Sequence, residues 1–235
     1  DYKNKFGGFL TSGSQTFSYL TSISAYNYFT EGGESLLVAR VVDGIFTAAS
    51  SSATVATSTS ASVVFETLSK GAVMNTGTDF DSDGVLTNGS VDNLKFEIAG
   101  ANTASGTFNV LVRQGNDKNS DKIVLETFNK VSLDPNQSNF ISKVIGDQVV
   151  EYDSGTNQID ITSGEFANAS RYIRVKSIPN LTPDYFDNTG VTKTALKEHI
   201  PVNGTGSFGG AAGGVAAGAN MYTNIATQTQ GLNGS

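Results

Sequence analysis

Between Val63 and Ile178 the chain carries seven short runs in which apolar and polar residues partly alternate: VVFETL, NLKFEIAG, GTFNVLVRQG, DKIVLETFNKVSL, QVVEY, NQIDIT and RYIRVKSI. Turn residues separate each run from the next. A period of two puts alternate side chains on opposite faces of a strand, so such a text specifies half-buried β-strands joined by turns. The exception is NQSNFISKVIGDQ, where Phe140, Ile141, Val144 and Ile145 fall on one helical face, so a short helix is expected there.

The composition agrees with strands. Apolar residues make up 38% and charged residues 16% of 235, so the surface must be covered largely by Ser, Thr, Asn and Gly. Ser, Thr and Asn compete with helical backbone hydrogen bonds and favour turns and strands. The net charge of −7 disfavours a nucleic-acid partner, which needs a basic face to displace counterions. With no cysteine, neither disulfides nor thiolate metal sites can form. No apolar run approaches the ~20 residues of a membrane helix, and no membrane insertion is expected.

Before the β-like text, QTFSYLTSISAYNYFTEGGES reads as a helix of about four turns. Phe17, Leu20, Ile23 and Tyr26 form its apolar face, widened by Tyr19, Tyr28 and Phe29. Ser14 is the N-cap and Gly32–Gly33 the stop. The run SLLVARVV that follows suits a buried strand, and together they make half of an α/β unit. Thr47 to Ser62 is nearly all Ala, Ser, Thr and Val, and fits either a linker or an extended Thr-rich strand pair. From Pro179 prolines recur, and GTGSFGGAAGGVAAGAN has the composition of a flexible link. The expected fold class is α+β, mainly β. Residues 1–45 form a helix–strand segment of an incomplete α/β core, residues 46–178 a sandwich- or barrel-like β domain, and residues 179–235 a Pro/Gly-rich linker. Both ends read as cut, so the chain is expected to be a piece of a larger polypeptide.

Three motifs invite a functional reading. Asp79, Asp81, Asp83 and Gly84 fill positions 1, 3, 5 and 6 of a calcium loop, but position 12 is Ser90, which lacks the bidentate carboxylate the site requires. An acidic turn, its Asp side chains bonding local amides, is the reading favoured. Gly204, Gly206 and Gly209 match GxGxxG, yet GAAGGVAAG follows, too glycine-rich for the helix a dinucleotide site needs. The single histidine, His199, is the base that Ser-His-Asp chemistry would have to use, and no G-x-S-x-G elbow accompanies it. The N-x-S/T triplets at Asn88, Asn168, Asn180, Asn203 and Asn233 arise readily by chance in such a composition. No catalytic, cofactor-binding or metal residue is assigned, no cofactor is expected, and the chain is not expected to be an enzyme.

One block is more specific. FETLSKGAVMNTGT, then DNLKFEIAGANTASGTFNVLVRQGNDKNSDKIVLETFNKVSLDPNQSNFISKVIGDQ, resembles the contractile tail sheath proteins of myovirus-type bacteriophages. There a TFNLLVRxGxD strand leads to VLETFNxxSLDPxSxNYIxxVIGDQ, much as Thr107 to Gln148 reads here. The earlier FSYLTSISAYNYFTEGGESLLVARVV resembles the sheath segment that joins core to inserted domains. The resemblance implies a structural, homo-oligomeric protein. Its subunits stack as hexameric rings around a tail tube, with the tube, the baseplate and the tail terminator as further partners. It also implies a place in the virion tail, and in host cytoplasm during assembly. Residues 46–178 would be a protruding inserted domain, and a C-terminal core would lie beyond Ser235. The alternative reading is a calcium-dependent or carbohydrate-binding β-sandwich module of adhesin or fibre type.

Overall fold

A computed structural model describes residues 10–12, 15–17, 20–36, 45–56, 60–153 and 155–213. Two compact units divide the chain, residues 1–44 with 220–235, and residues 45–219.

In the first unit, β1 (Leu10–Ser12) and β2 (Gln15–Phe17) pair antiparallel, Leu10 opposite Phe17. Helix α1 runs from Leu20 to Thr30. The helix expected from Gln15 thus starts late. Thr16 and Phe17 are β-formers, and pairing with Leu10–Ser12 takes them into a strand. The stop is as expected: Gly32 adopts φ +91°, and the Gly33 N–H donates to the Tyr28 carbonyl at 2.9 Å. The expected face is displaced, because Ala25 is buried while Tyr26 is 64% exposed. Ser14 and the run from Leu37 lie outside the described residues, and Ser35–Leu36 are not in a strand.

The second unit is mainly β, as the alternation requires. Strands β3 (Ala48–Thr54) and β4 (Ala61–Lys70) pair antiparallel, so Thr47–Ser62 is the strand pair rather than a linker. Strands β5 (Leu94–Asn102), β6 (Thr107–Gln114) and β7 (Val124–Ser132) follow as an antiparallel meander. Helix α2 (Ile141–Ile145) sits where the helical periodicity places it. A hairpin of β8 (Val149–Asp153) and β9 (Gln158–Ser163) comes next. Strand β10 (Ile173–Ser177), the short helix α3 (Thr194–Lys197) and β11 (Gly204–Ser207) complete the unit.

One sheet has the order β10-β4-β3 and another β11-β5-β6-β7. Their inner faces supply one core, in which Phe65 of β4 meets Phe96 of β5 with ring centroids 5.1 Å apart, and Phe96 meets Phe208 at 5.8 Å. The two sheets also join along one edge. Ser50 and Gly209 exchange both backbone hydrogen bonds, at 2.8 and 3.1 Å, and the Val202 N–H donates to the Thr54 carbonyl at 3.0 Å. The result is a sandwich closed on one side like a barrel.

The linker expected from residue 179 is a correction, since residues 179–213 lie on this body. Strand β11 pairs with β5, Ile200 and Phe208 are buried, and the Tyr185 hydroxyl donates to the Thr103 carbonyl at 2.7 Å. Gly206, one of the glycines that suggested flexibility, serves close approach instead: a Cβ there would collide with the Phe96 ring. Residues 214–235 lie outside the described residues.

Candidate functional site

The acidic loop lies between β4 and β5. One oxygen of Asp81 accepts the N–H groups of Asp83 and Val85 at 2.9 and 2.8 Å, and Gly84 takes φ +78°. The Asp79 carbonyl accepts both the N–H and the hydroxyl of Thr87 at 3.0 Å. Asp83 faces solvent, its carboxylate 3.5 Å from the Lys118 ammonium. Each Asp therefore has its own local role, and among the described residues no three His, Cys, Asp or Glu side chains are placed to share a metal ion. Ser90, at the twelfth position, accepts the Asp92 N–H on its hydroxyl.

Beneath this loop lies a cluster of buried charges that sequence reading missed. Lys95 on β5 stands opposite Arg113 on β6, and the pleat puts both, with Glu97, on the face turned away from Phe96. The side chains of Lys95, Arg113 and Asp117 have no solvent exposure. The Lys95 ammonium lies 2.6 Å from one oxygen of Asp117 and donates to the carbonyls of Gly84 and Asp117, both at 2.8 Å. Arg113 grips the Asp117 carboxylate with two N–H groups at 2.8 Å and Glu97 with a third at 2.7 Å. Lys122 closes the chain of charges on Glu97 at 2.8 Å. The Ile123 N–H adds a fourth donor to Asp117 at 2.9 Å. Such fork-to-carboxylate pairing is the geometry in which burial of charge is tolerated.

The cluster works as a clamp. Through Gly84 it ties the acidic loop, and through Asp117 the loop between β6 and β7, to the outer face of the sheet. Nothing in the local text betrays it. Lys95 occupies the polar phase of an alternating strand and reads as solvent-facing. Only the β5–β6 register brings it to Arg113.

His199 and the glycine motif enter the fold through their backbones. The Ser62 hydroxyl donates to the His199 backbone carbonyl at 2.6 Å, so this buried serine is committed to main chain rather than to an imidazole. Gly204 and Gly206 belong to β11, and Gly209 to the bridge with Ser50. Two of the N-x-S/T asparagines are drawn in as well: the Asn168 amide donates to the Gln148 carbonyl, and the Asn203 side-chain oxygen accepts from the Ala101 N–H.

An open cleft of about 560 Å³ is lined by Asp134, Asp184, Tyr185, Asp187 and Lys193, among others. Asp134, Tyr185 and Asp187 are occupied within the fold. One Asp187 oxygen accepts from the Thr189 hydroxyl and from the N–H groups of Val191 and Thr189, which holds that carboxyl below its ordinary range. Burial pushes the Tyr185 hydroxyl up. No protein-family model, curated protein or solved structure matches the chain.

The segment Thr107–Gln148 spends several of its polar side chains in the same manner. Glu126 accepts from the Ser170 hydroxyl and the Arg171 N–H at 2.6 and 2.9 Å, fastening β7 to the turn before β10. One Asp147 oxygen accepts the N–H groups of Glu165 and Phe166 at 2.9 and 2.8 Å. Asp134 caps its own turn through Asn136. These charged residues thus brace the fold.

Acid should loosen this bracing. Burial alone would raise the Asp117 carboxyl, but hydrogen bonds from Arg113 and Lys95, and then from Ile123, more than offset it and hold the group below its ordinary 3.8. Burial likewise opposes ionisation of Glu66, and Lys176 and Arg174 outweigh it, holding that carboxyl below 4.5. A depressed folded-state value gives stability that is complete above the unfolded value and lost as pH falls through the folded one. The melting temperature is therefore expected to change little between about pH 7 and 5, and to drop below about pH 4. A melting temperature at pH 3 equal to that at pH 7 would contradict the bracing.

Proposed function

We propose that the chain is part of a structural subunit of a bacteriophage contractile tail sheath. In this reading copies polymerise around the tail tube, and the sheath shortens to drive that tube through the host envelope for genome delivery. The observation that carries the reading is the use made of Thr107–Gln148, the block that resembles sheath proteins. Arg113, Asp117, Glu126, Asp134 and Asp147 are consumed in internal hydrogen bonds. A subunit that works by shifting between two packings needs a body that moves as a unit, with no acid, base or cofactor of its own. Clamped loops and a sandwich closed along one edge supply that rigidity. The engagement of Asp81 by its own loop amides favours this reading over the calcium-dependent module.

Immunogold labelling is the test. An antibody against this chain is expected to decorate the tails of myovirus-type particles, made by cells carrying the gene, along their whole length. The labelled length should shorten on contraction. Tails that stay unlabelled while the intact gene product remains soluble would overturn the proposal.

A further inference from the structure

The buried clamp spends its charges on the fold, whereas the open cleft keeps four polar side chains free. Its volume of about 560 Å³ falls within the roughly 300–1,000 Å³ of small-molecule sites. Its mount is braced. Phe186 bridges to Thr192, the Asp187 N–H donates to the Val191 carbonyl at 2.8 Å, and the Lys193 N–H donates to the Tyr185 carbonyl at 3.1 Å. The Asp187 carboxylate bonds inside this turn, and the Tyr185 hydroxyl is anchored on Thr103. From the segment after β7, the Gln137 N–H donates to the Asp134 carbonyl at 3.1 Å. Gln137, Asp184, Asn188 and Lys193 line the cleft, and none of their side chains makes a hydrogen bond or salt bridge to another described residue. Beside them the Phe186 ring, set edge-on to Tyr185 with centroids 5.6 Å apart, is 45% exposed.

We propose that this cleft binds a neutral saccharide, whose ring packs on Phe186 and whose hydroxyl groups bond Gln137, Asp184, Asn188 and Lys193. The set of donors and acceptors selects this class. The Asp184 carboxylate only accepts, the Lys193 ammonium only donates, and the two amides do both. A hydroxyl donates and accepts, so a polyol meets all four. Charge narrows the choice further. The two free charges cancel, and the carboxylates of Asp134 and Asp187 add negative charge to the wall, which turns away phosphates, uronates and other anions. The Lys193 ammonium in turn repels a simple cation. A zwitterion such as a free amino acid would rely on ion pairs, which yield little in an open, wet cleft. A pyranose keeps its outward hydroxyls hydrated there, while its C–H face covers the apolar ring. Covering that ring is the one contact for which water does not compete, so Phe186 carries the affinity. Because the turn is already braced, little ordering is left for the ligand to impose. The inference goes beyond the sheath reading and does not rest on it.

Saturation-transfer NMR on the full chain tests the site. The probes are the methyl glycosides of glucose, galactose, mannose and N-acetylglucosamine, with glucuronate and free lysine as charged controls. At least one neutral glycoside is expected to receive saturation, strongest at its ring C–H protons, and the two controls little. Phe186→Ala is expected to weaken that binding at least tenfold. Its urea midpoint should stay near that of the unmodified chain, so that lost binding is not lost folding. Asp184→Ala and Lys193→Ala should each weaken binding several-fold. Val191→Ala, at an exposed position of the same turn that does not line the cleft, should leave it unchanged. No saturation of any neutral glycoside, binding that survives Phe186→Ala, or a stronger signal from glucuronate or lysine would each overturn the saccharide site.

Discussion

Replacing Asp117 with alanine is expected to destabilise the β body by about 3–5 kcal/mol, the cost of leaving buried charge without its counter-ion. Asp117 is the hub: Lys95 and Arg113 both pair with it, and neither has solvent exposure to fall back on. Its removal leaves Lys95 without a carboxylate under the acidic loop, leaves Arg113 with Glu97 alone, and frees the Ile123 N–H. A loss of that size is a large part of the roughly 5–15 kcal/mol that holds a domain together. Urea unfolding followed by tyrosine fluorescence measures it, the chain having eight tyrosines and no tryptophan. Asp83→Ala is the control. Its pairing with Lys118 is solvent-exposed at 3.5 Å, and the loss there should be at most about 1 kcal/mol. Equal, small effects at both positions would show that Asp117 is not the hub.

Phe208→Ala should cost a similar amount, about 3–5 kcal/mol, through lost burial and the cavity left behind. Phe208 is 1% exposed and stands edge-on to Phe96, which itself leans on Phe65. The same truncation at Phe186, which is 45% exposed, should cost much less. The comparison also decides what residues 179–213 are. In a tether, Phe208 could be removed without effect on unfolding; in a core, its removal shifts the urea midpoint by a large fraction of its value.

The β character of the chain was legible because period two survives in single strands. Val63 and Phe65, then Phe96 and Ile98, then Phe108, Val110 and Val112 all face inward as their spacing requires. Helix α2 was legible for the same reason, from Ile141 and Ile145. What escaped was whatever depended on a partner elsewhere in the chain. Gly204–Ser207 has no hydrophobic pattern of its own, and becomes a strand because β5 offers it an edge and, at Gly206, the Phe96 ring leaves room only for glycine. Gln15–Phe17 left the helix because Leu10–Ser12 lay within pairing reach. Lys95 and Arg113 looked like two surface cations, and only the register shows them sharing one carboxylate. The acidic loop was read through its own residues, and those suffice for Asp81, whose hydrogen bonds are local.

The seam between Ser50 and Gly209 has a consequence for how the body is made. Strand β3 is among the first parts of this unit to be synthesised, yet the backbone groups that complete its outer edge come from residues near the end of the unit. A chain emerging from the ribosome can form its β3–β4 and β5–β6–β7 hairpins as they appear, but the edge that joins them stays open until residues around 200–212 are available. Long-range closure of this kind is slow and leaves an unpaired edge exposed in the meantime. The glycine-rich stretch that arrives last is therefore the latch of the fold, and its small residues let it slide into place beneath side chains already ordered.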